Sequence, residues 1–152
     1  MKDFDFLKLF EEDKNSQLII EQLNKKDPLK KITLLKNTQG SLKTIIASRI
    51  FKKTNFNHLF ILDNLEDSLY FLDDLNNLNP NSPSILFPSS ERIKVGDNNV
   101  ILERIETLSQ INNKSKTCVI TYPEAVKEKI INKKEFKKKQ IEIKVGDKVI
   151  IE

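Results

Sequence analysis

The chain has 152 residues, 38% of them hydrophobic and 32% charged, with a formal net charge of +4, a length that suits one domain with a single core. Its lone cysteine excludes a disulfide framework, and its lone histidine argues against a histidine-built metal site or triad. No apolar run approaches the ~20 residues of a membrane span.

The N-terminus is acidic and lacks the apolar stretch of a signal peptide, so a soluble cytoplasmic protein is expected. Residues 3–26 read as helical. Phe4, Leu7 and Phe10 share one face, and Leu18, Ile19 and Leu23 follow near helical spacing, with Asn15 or Ser16 as the cap. Pro28 closes this region. The pattern then changes to alternating short apolar runs and amphipathic stretches. Strands are expected at 31–35 (KITLL), 58–62 (HLFIL), 83–87 (PSILF) and 116–121 (KTCVIT). Helices are expected at 41–53 with Ser41 as cap, at 65–78 with Leu65, Leu69, Leu72 and Leu75 inward, at 98–111 with Ile101, Ile105 and Leu108 inward, and from Pro123 through Ile131. Strand and helix alternate, and the strand runs are almost continuously apolar. The expected fold is α/β, a parallel sheet with helices on both faces. Residues 136–152 alternate and turn at Gly146-Asp147, which predicts a short C-terminal β-hairpin. Its last strand has no evident partner in the sequence, as in a fragment or a strand that pairs elsewhere. The pentapeptide IKVGD occurs at 93–97 and again at 143–147, a recurrence of turn chemistry rather than an architectural repeat.

The stretch NTQGSLKT (37–44) sits where a phosphate loop belongs, between a predicted strand and a predicted helix. Gly40, Ser41, Lys43 and Thr44 are its candidate anion-binding residues. Lys43 could reach phosphate oxygens and Thr44 could contact Mg²⁺. The glycines of G-x-x-x-x-G-K-[ST] are replaced by Asn37 and Leu42. Asn tolerates the left-handed region, but Leu42 puts a branched side chain where phosphate would nest. The chain has three glycines in all, few places for backbone to approach a ligand closely. A degenerate loop with residual anion affinity is expected, ATP and Mg²⁺ being cofactors only if the loop works. Asp63 could hold Mg²⁺, though a turn at a strand end is the plainer reading. No metal ligand is assigned.

Three other features invite a role. The segment 127–139 carries seven lysines against two glutamates. It reads as a solvated face protecting a strand edge, or as a phosphate-backbone contact through Lys133, Lys134, Lys137, Lys138 and Lys139. Tyr122, at the carboxyl end of a strand, is a candidate for stacking on a base, whereas Tyr70 lies in an apolar stripe and reads as core. Cys118 reads as core rather than as a nucleophile.

Several segments in order, GSLKT, HLFILDNLEDSLYFLDDLNNL, ILFPSSER, NNVILERIETLSQI, CVITYPEAVKEKI and IEIKVGDKVIIE, resemble the N-terminal region of bacterial transcription-repair coupling factors (Mfd), itself similar to the excision-repair subunit UvrB. The resemblance covers roughly residues 30–152. It implies a helicase-like (P-loop, UvrB-like) domain with a degenerate phosphate loop and a non-catalytic role in transcription-coupled nucleotide excision repair. The implied partners are the other domains of the coupling factor, with DNA contact as a further option. UvrA and RNA polymerase would bind regions largely missing here. The division expected is 1–30 as a helical segment, 31–132 as the UvrB-like domain and 133–152 as the start of a β-containing domain. UvrB-like proteins grip damaged DNA with a long aromatic hairpin after the FP strand. Here SSERIKVGDNN is short and has no aromatic residue, so that role does not carry over. The alternatives are a small nucleotide-binding enzyme with a variant loop, in which Lys43, Thr44 and Asp63 converge, and a free-standing nucleic-acid-binding protein.

Overall fold

The computed structural model describes residue 10 and residues 13–24, 32–90, 99–113 and 116–139. In chain order its elements are α1 (Lys14–Asn24), α2 (Leu42–Lys53), β1 (His58–Ile61), α3 (Leu65–Leu78), β2 (Ile85–Leu86), α4 (Asn99–Asn113), β3 (Cys118–Thr121), α5 (Pro123–Val126) and α6 (Lys133–Lys139). The hairpin expected beyond residue 139, most of the helix expected before residue 13 and the turn-like segment 93–97 lie outside the described residues.

The three strands form one parallel sheet in the order β1-β3-β2. β3 is central because its run, Cys-Val-Ile-Thr, is apolar or β-branched throughout and buried at every position. Its register pairs His58 with Cys118 and Ile61 with Thr121 on one side, and Ile85 with Val119 on the other. Further bonds run from Leu62 N–H to the Thr121 carbonyl (2.9 Å) and from Phe87 N–H to the Ile120 carbonyl (2.8 Å). The crossover from β1 to β2 passes over β3, and the next one returns. Right-handed connections running in opposite directions place α3 and α4 on opposite faces of the sheet.

The core lies under α2 and α3, where Ala47, Phe51, Phe71, Leu75, Cys118 and Ile120 meet. Alternation along β3 puts Cys118 and Ile120 on this face. α3 begins where predicted: the Asn64 side chain accepts the Asp67 N–H at 2.9 Å, and Glu66 and Asp67 sit favourably in the first turn. Buried polar groups between helices are paired. Ser48 Oγ donates to Asn79 Oδ1 at 2.8 Å, and Asn79 Nδ2 donates back to the Leu75 carbonyl at 3.0 Å.

Several expectations are corrected. Residues 32–36 form no strand and pair with none of the three strands; Ile32 and Leu34 are 97% and 75% exposed. α1 is capped by Asp13, whose Oδ2 accepts the Ser16 N–H at 2.7 Å, and its Leu18 and Leu23 face solvent. Ser41 has αR geometry and makes no capping bond with its side chain. On α3 the buried residues are Ser68, Phe71 and Leu75, and Leu69 is exposed. On α4 the buried residue is Thr107, while Ile101 and Ile105 are exposed. The helix expected from Pro123 to Ile131 is the single turn Pro123–Val126, followed after a break by α6. Residues 133–139 are therefore helical.

Candidate functional site

In parallel α/β folds ligands bind outside the carboxyl ends of the strands, where crossovers diverge. Here that edge comprises Leu62–Asn64 after β1, Phe87–Ser90 after β2 and Tyr122 after β3. Its β2–β3 side is closed by a polar clasp. The Glu128 carboxylate accepts Ser89 Oγ (2.6 Å) and Ser90 N–H (2.7 Å), and also Ser90 Oγ. Arg104 of α4 pairs with Glu128 at 3.2 Å, donates to the Pro88 carbonyl at 2.5 Å and stacks 4.2 Å over the Phe87 ring. Burial opposes ionisation of Glu128, but the hydrogen bonds from Ser89 and Ser90, with the Arg104 charge, outweigh it and hold the carboxyl below its ordinary value. Thr107 Oγ1 donates to the Leu86 carbonyl and Thr121 Oγ1 to the Phe87 carbonyl, at 3.0 and 2.9 Å. Polar groups that could receive a ligand are thus bonded to one another.

Tyr122 belongs to this clasp. It is 2% exposed, and its hydroxyl accepts the Ser89 N–H at 2.8 Å. Its ring is not available to stack on a base. Tyr70 is the reverse case: expected in the core, it is 67% exposed on α3. Asp63 lies exposed in the turn after β1. Cys118 is buried in the core, as its apolar surroundings in the sequence suggest, and burial pushes its thiol pKa up. His58 sits edge-on to Phe51 with ring centres 5.4 Å apart, and Thr54 Oγ1 lies 2.7 Å from its Nε2. Burial, and secondarily the Lys116 charge, lower its pKa and favour the neutral ring.

The stretch 37–44 shares one backbone feature with a phosphate loop. Asn37 and Gly40 both have positive φ, 61° and 57°, the left-handed region that Gly and Asn adopt at least cost. The functional groups diverge. Lys43 is exposed, whereas Thr44 is 1% exposed with its side chain turned into the protein. The Leu42 N–H is bonded to the Gln39 carbonyl at 3.3 Å. With residues 32–36 exposed and unpaired in the sheet, the strand–loop–helix context is incomplete. A cavity of about 610 Å³ lies beside the loop, between α1, residues 33–38 and α2, but Lys43 and Thr44 do not line it.

The lysines of the basic segment stand on α6 and before it: Lys133, Lys134, Lys137 and Lys138 are exposed, and Lys139 ends the helix. Asn132 caps α6 by accepting the Glu135 N–H at 3.0 Å, and Phe136, buried, faces the protein.

Sequence reasoning missed the clasp. Ser89, Ser90, Arg104 and Glu128 are scattered over some forty positions and match no spaced motif. The only signal was that PSSER and TYPEAVKE belong to the segments that carry the resemblance. Among the described residues, no group of three or more His, Cys, Asp or Glu could hold a metal ion, and no helix is long and apolar enough to cross a membrane. No protein-family profile, curated protein or solved structure matches this chain.

Proposed function

We propose that the chain is a non-catalytic UvrB-like module from the N-terminal region of a transcription-repair coupling factor. Its role is scaffolding or regulation in transcription-coupled nucleotide excision repair, in the cytoplasm. Its fold is read as a helicase-like α/β domain whose phosphate loop has decayed. The reading rests on the collinear resemblance of residues 30–152 and is consistent with a parallel α/β sheet. The observation that carries the non-catalytic part is the divergence at the loop: Thr44 is buried while Lys43 points to solvent, which sets apart the two side chains that would jointly hold a nucleotide and Mg²⁺. The clasp at the strand ends supports it, because it fills with internal hydrogen bonds the position where an α/β enzyme keeps its ligand. The partners of such a module are the other domains of the coupling factor, with UvrA and RNA polymerase engaged through regions beyond this one.

Two measurements test the reading. Labelled ATP titrated with Mg²⁺ should give no saturable micromolar binding, and hydrolysis should stay at background. Robust turnover that disappears in Lys43→Ala would overturn the non-catalytic part. Cells lacking the gene should repair ultraviolet lesions in transcribed and non-transcribed strands at equal rates. A persisting advantage for the transcribed strand would remove the assignment to coupled repair.

A further inference from the structure

The segment 127–139 is not accounted for by a scaffold role, and its geometry is specific. Lys127 and Lys129 are exposed after α5, and Lys133, Lys134, Lys137 and Lys138 are exposed on α6. At 3.6 residues per turn, the four α6 lysines fall within one arc of about 140°, whose centre lies roughly 130° around the helix from Phe136. Phe136 is 7% exposed and docks the helix, which fixes the arc toward solvent. The two acids of the segment do not cancel this charge. Glu128 is turned into the clasp with Arg104, Ser89 and Ser90. Glu135 lies about 60° beyond Lys138 by the same helical count, so it borders the arc and offsets at most one of its charges. The ion pair among the described residues is Arg104–Glu128, and none of these lysines takes part in one.

We infer that this face binds the phosphate backbone of double-stranded nucleic acid without reading its sequence. Four ammonium groups along roughly 7 Å of helix meet a duplex that carries one charge per ~1.7 Å of its axis. Lysine is a compact point charge suited to single phosphate oxygens. The arc carries no Arg, Asn or Gln to contact base edges and no aromatic ring to stack on bases. An anionic membrane is the less fitting polyanion, because the only apolar side chain of α6 is buried and leaves no face to insert. Val126, just before the segment, and Ile130 within it are exposed, so vesicles belong in the test. The inference is independent of the coupling-factor reading, since it uses only the charge and geometry of this face.

The experiment is fluorescence anisotropy of short labelled duplexes with the full chain across a salt series. With four to six phosphates neutralised, affinity should fall roughly 100- to 2,000-fold between about 50 and 200 mM salt. The variant Lys133→Gln/Lys134→Gln/Lys137→Gln/Lys138→Gln, its fold checked by circular dichroism, should lower the log–log salt slope by about 3.6. If that variant folds poorly, Lys134→Gln/Lys138→Gln should lower it by about 1.8. Lys14→Gln/Lys53→Gln, on α1 and α2, should leave affinity unchanged within about twofold, since surface charges away from the contact add little. Unrelated duplexes should bind alike. The inference is overturned by absence of binding at low salt, or by a slope that the α6 substitutions leave untouched. A strong preference for one duplex sequence, or tighter binding to phosphatidylserine vesicles than to DNA, would overturn it equally.

Discussion

Two regions contain the residues most suggestive of chemistry, and they are built in opposite ways. The stretch 32–44 has the motif: an apolar run, two left-handed turn residues and a Lys-Thr pair. Yet its apolar run is exposed and its Lys and Thr face different surroundings. The strand-end clasp has no motif, but its Ser89, Ser90, Arg104, Glu128 and Tyr122 converge from four segments into one bonded cluster. Local resemblance to a site is thus separable from convergence. A phosphate loop needs strand, backbone amides, lysine and hydroxyl held together, and here it is the clasp residues that the sheet brings together.

The largest expected effect contrasts the core with the exposed run. Leu75→Ala removes a fully buried side chain between α3 and the sheet and should cost about 3 kcal/mol. Leu34→Ala deletes the same atoms from the loop region and should cost less than about 0.5 kcal/mol, because they are already in water. Urea denaturation of both variants measures the difference. Equal losses would mean that residues 32–36 pack in solution and that the contrast between the regions is wrong.

The clasp is tested by charge. Glu128→Gln weakens several charge-assisted hydrogen bonds at a mostly buried carboxylate and should cost about 2 kcal/mol at neutral pH. The folded state holds this carboxyl below its ordinary value of about 4.3, so its contribution is complete above that value. It is lost as pH falls through the folded-state pKa, and the gap between wild type and Glu128→Gln should close toward pH 3. His58 gives a separate, higher window. Its folded pKa is lowered, so its contribution is full above about 6.5 and is lost as pH falls through the folded-state value, in both proteins alike. A wild-type-to-variant gap that stays constant down to pH 3 would show that Glu128 does not act through its charge.

Much of the sheet and its flanking helices was legible because local signals and tertiary needs agree there. The helical spacing of leucines over 65–78 marks α3, and the apolar, β-branched run of β3 marks a strand covered on both faces. The errors arise where tertiary contacts chose among equivalent local patterns. KITLL and HLFIL look alike in composition, but only the second has a parallel neighbour, and a strand without partners leaves its backbone to water. On α4 the apolar stripe of Ile101 and Ile105 competes with a face bearing Arg104 and Thr107. The polar face wins because the short strand β2 ends in carbonyls at Leu86 and Pro88 that those two side chains satisfy. The same bonding demand, from the Ser89 N–H, draws Tyr122 inward while Tyr70 is left outside. Of the candidate site, the loop's conformation at Asn37 could be read from side-chain chemistry, but the separation of Lys43 from Thr44 could not, since both belong to one helical turn and packing alone decides which is covered.

The smallest effect returns to the loop. Gly40 adopts φ 57°, and a Cβ placed there meets nothing within 4 Å. Gly40→Ala should therefore cost only the backbone penalty of the left-handed region, about 1 kcal/mol, partly offset by a less flexible unfolded chain. A phosphate-cradling glycine behaves differently: there a Cβ intrudes on the ligand, and substitution removes binding with little change in stability. The two cases separate in one pair of measurements on Gly40→Ala, thermal stability without nucleotide and the stability shift on adding ATP with Mg²⁺. A small destabilisation with no nucleotide-dependent shift in either protein fits a structural turn rather than a nucleotide site. A wild-type shift that the substitution abolishes would instead make the loop a working site and reverse the ranking of the two regions.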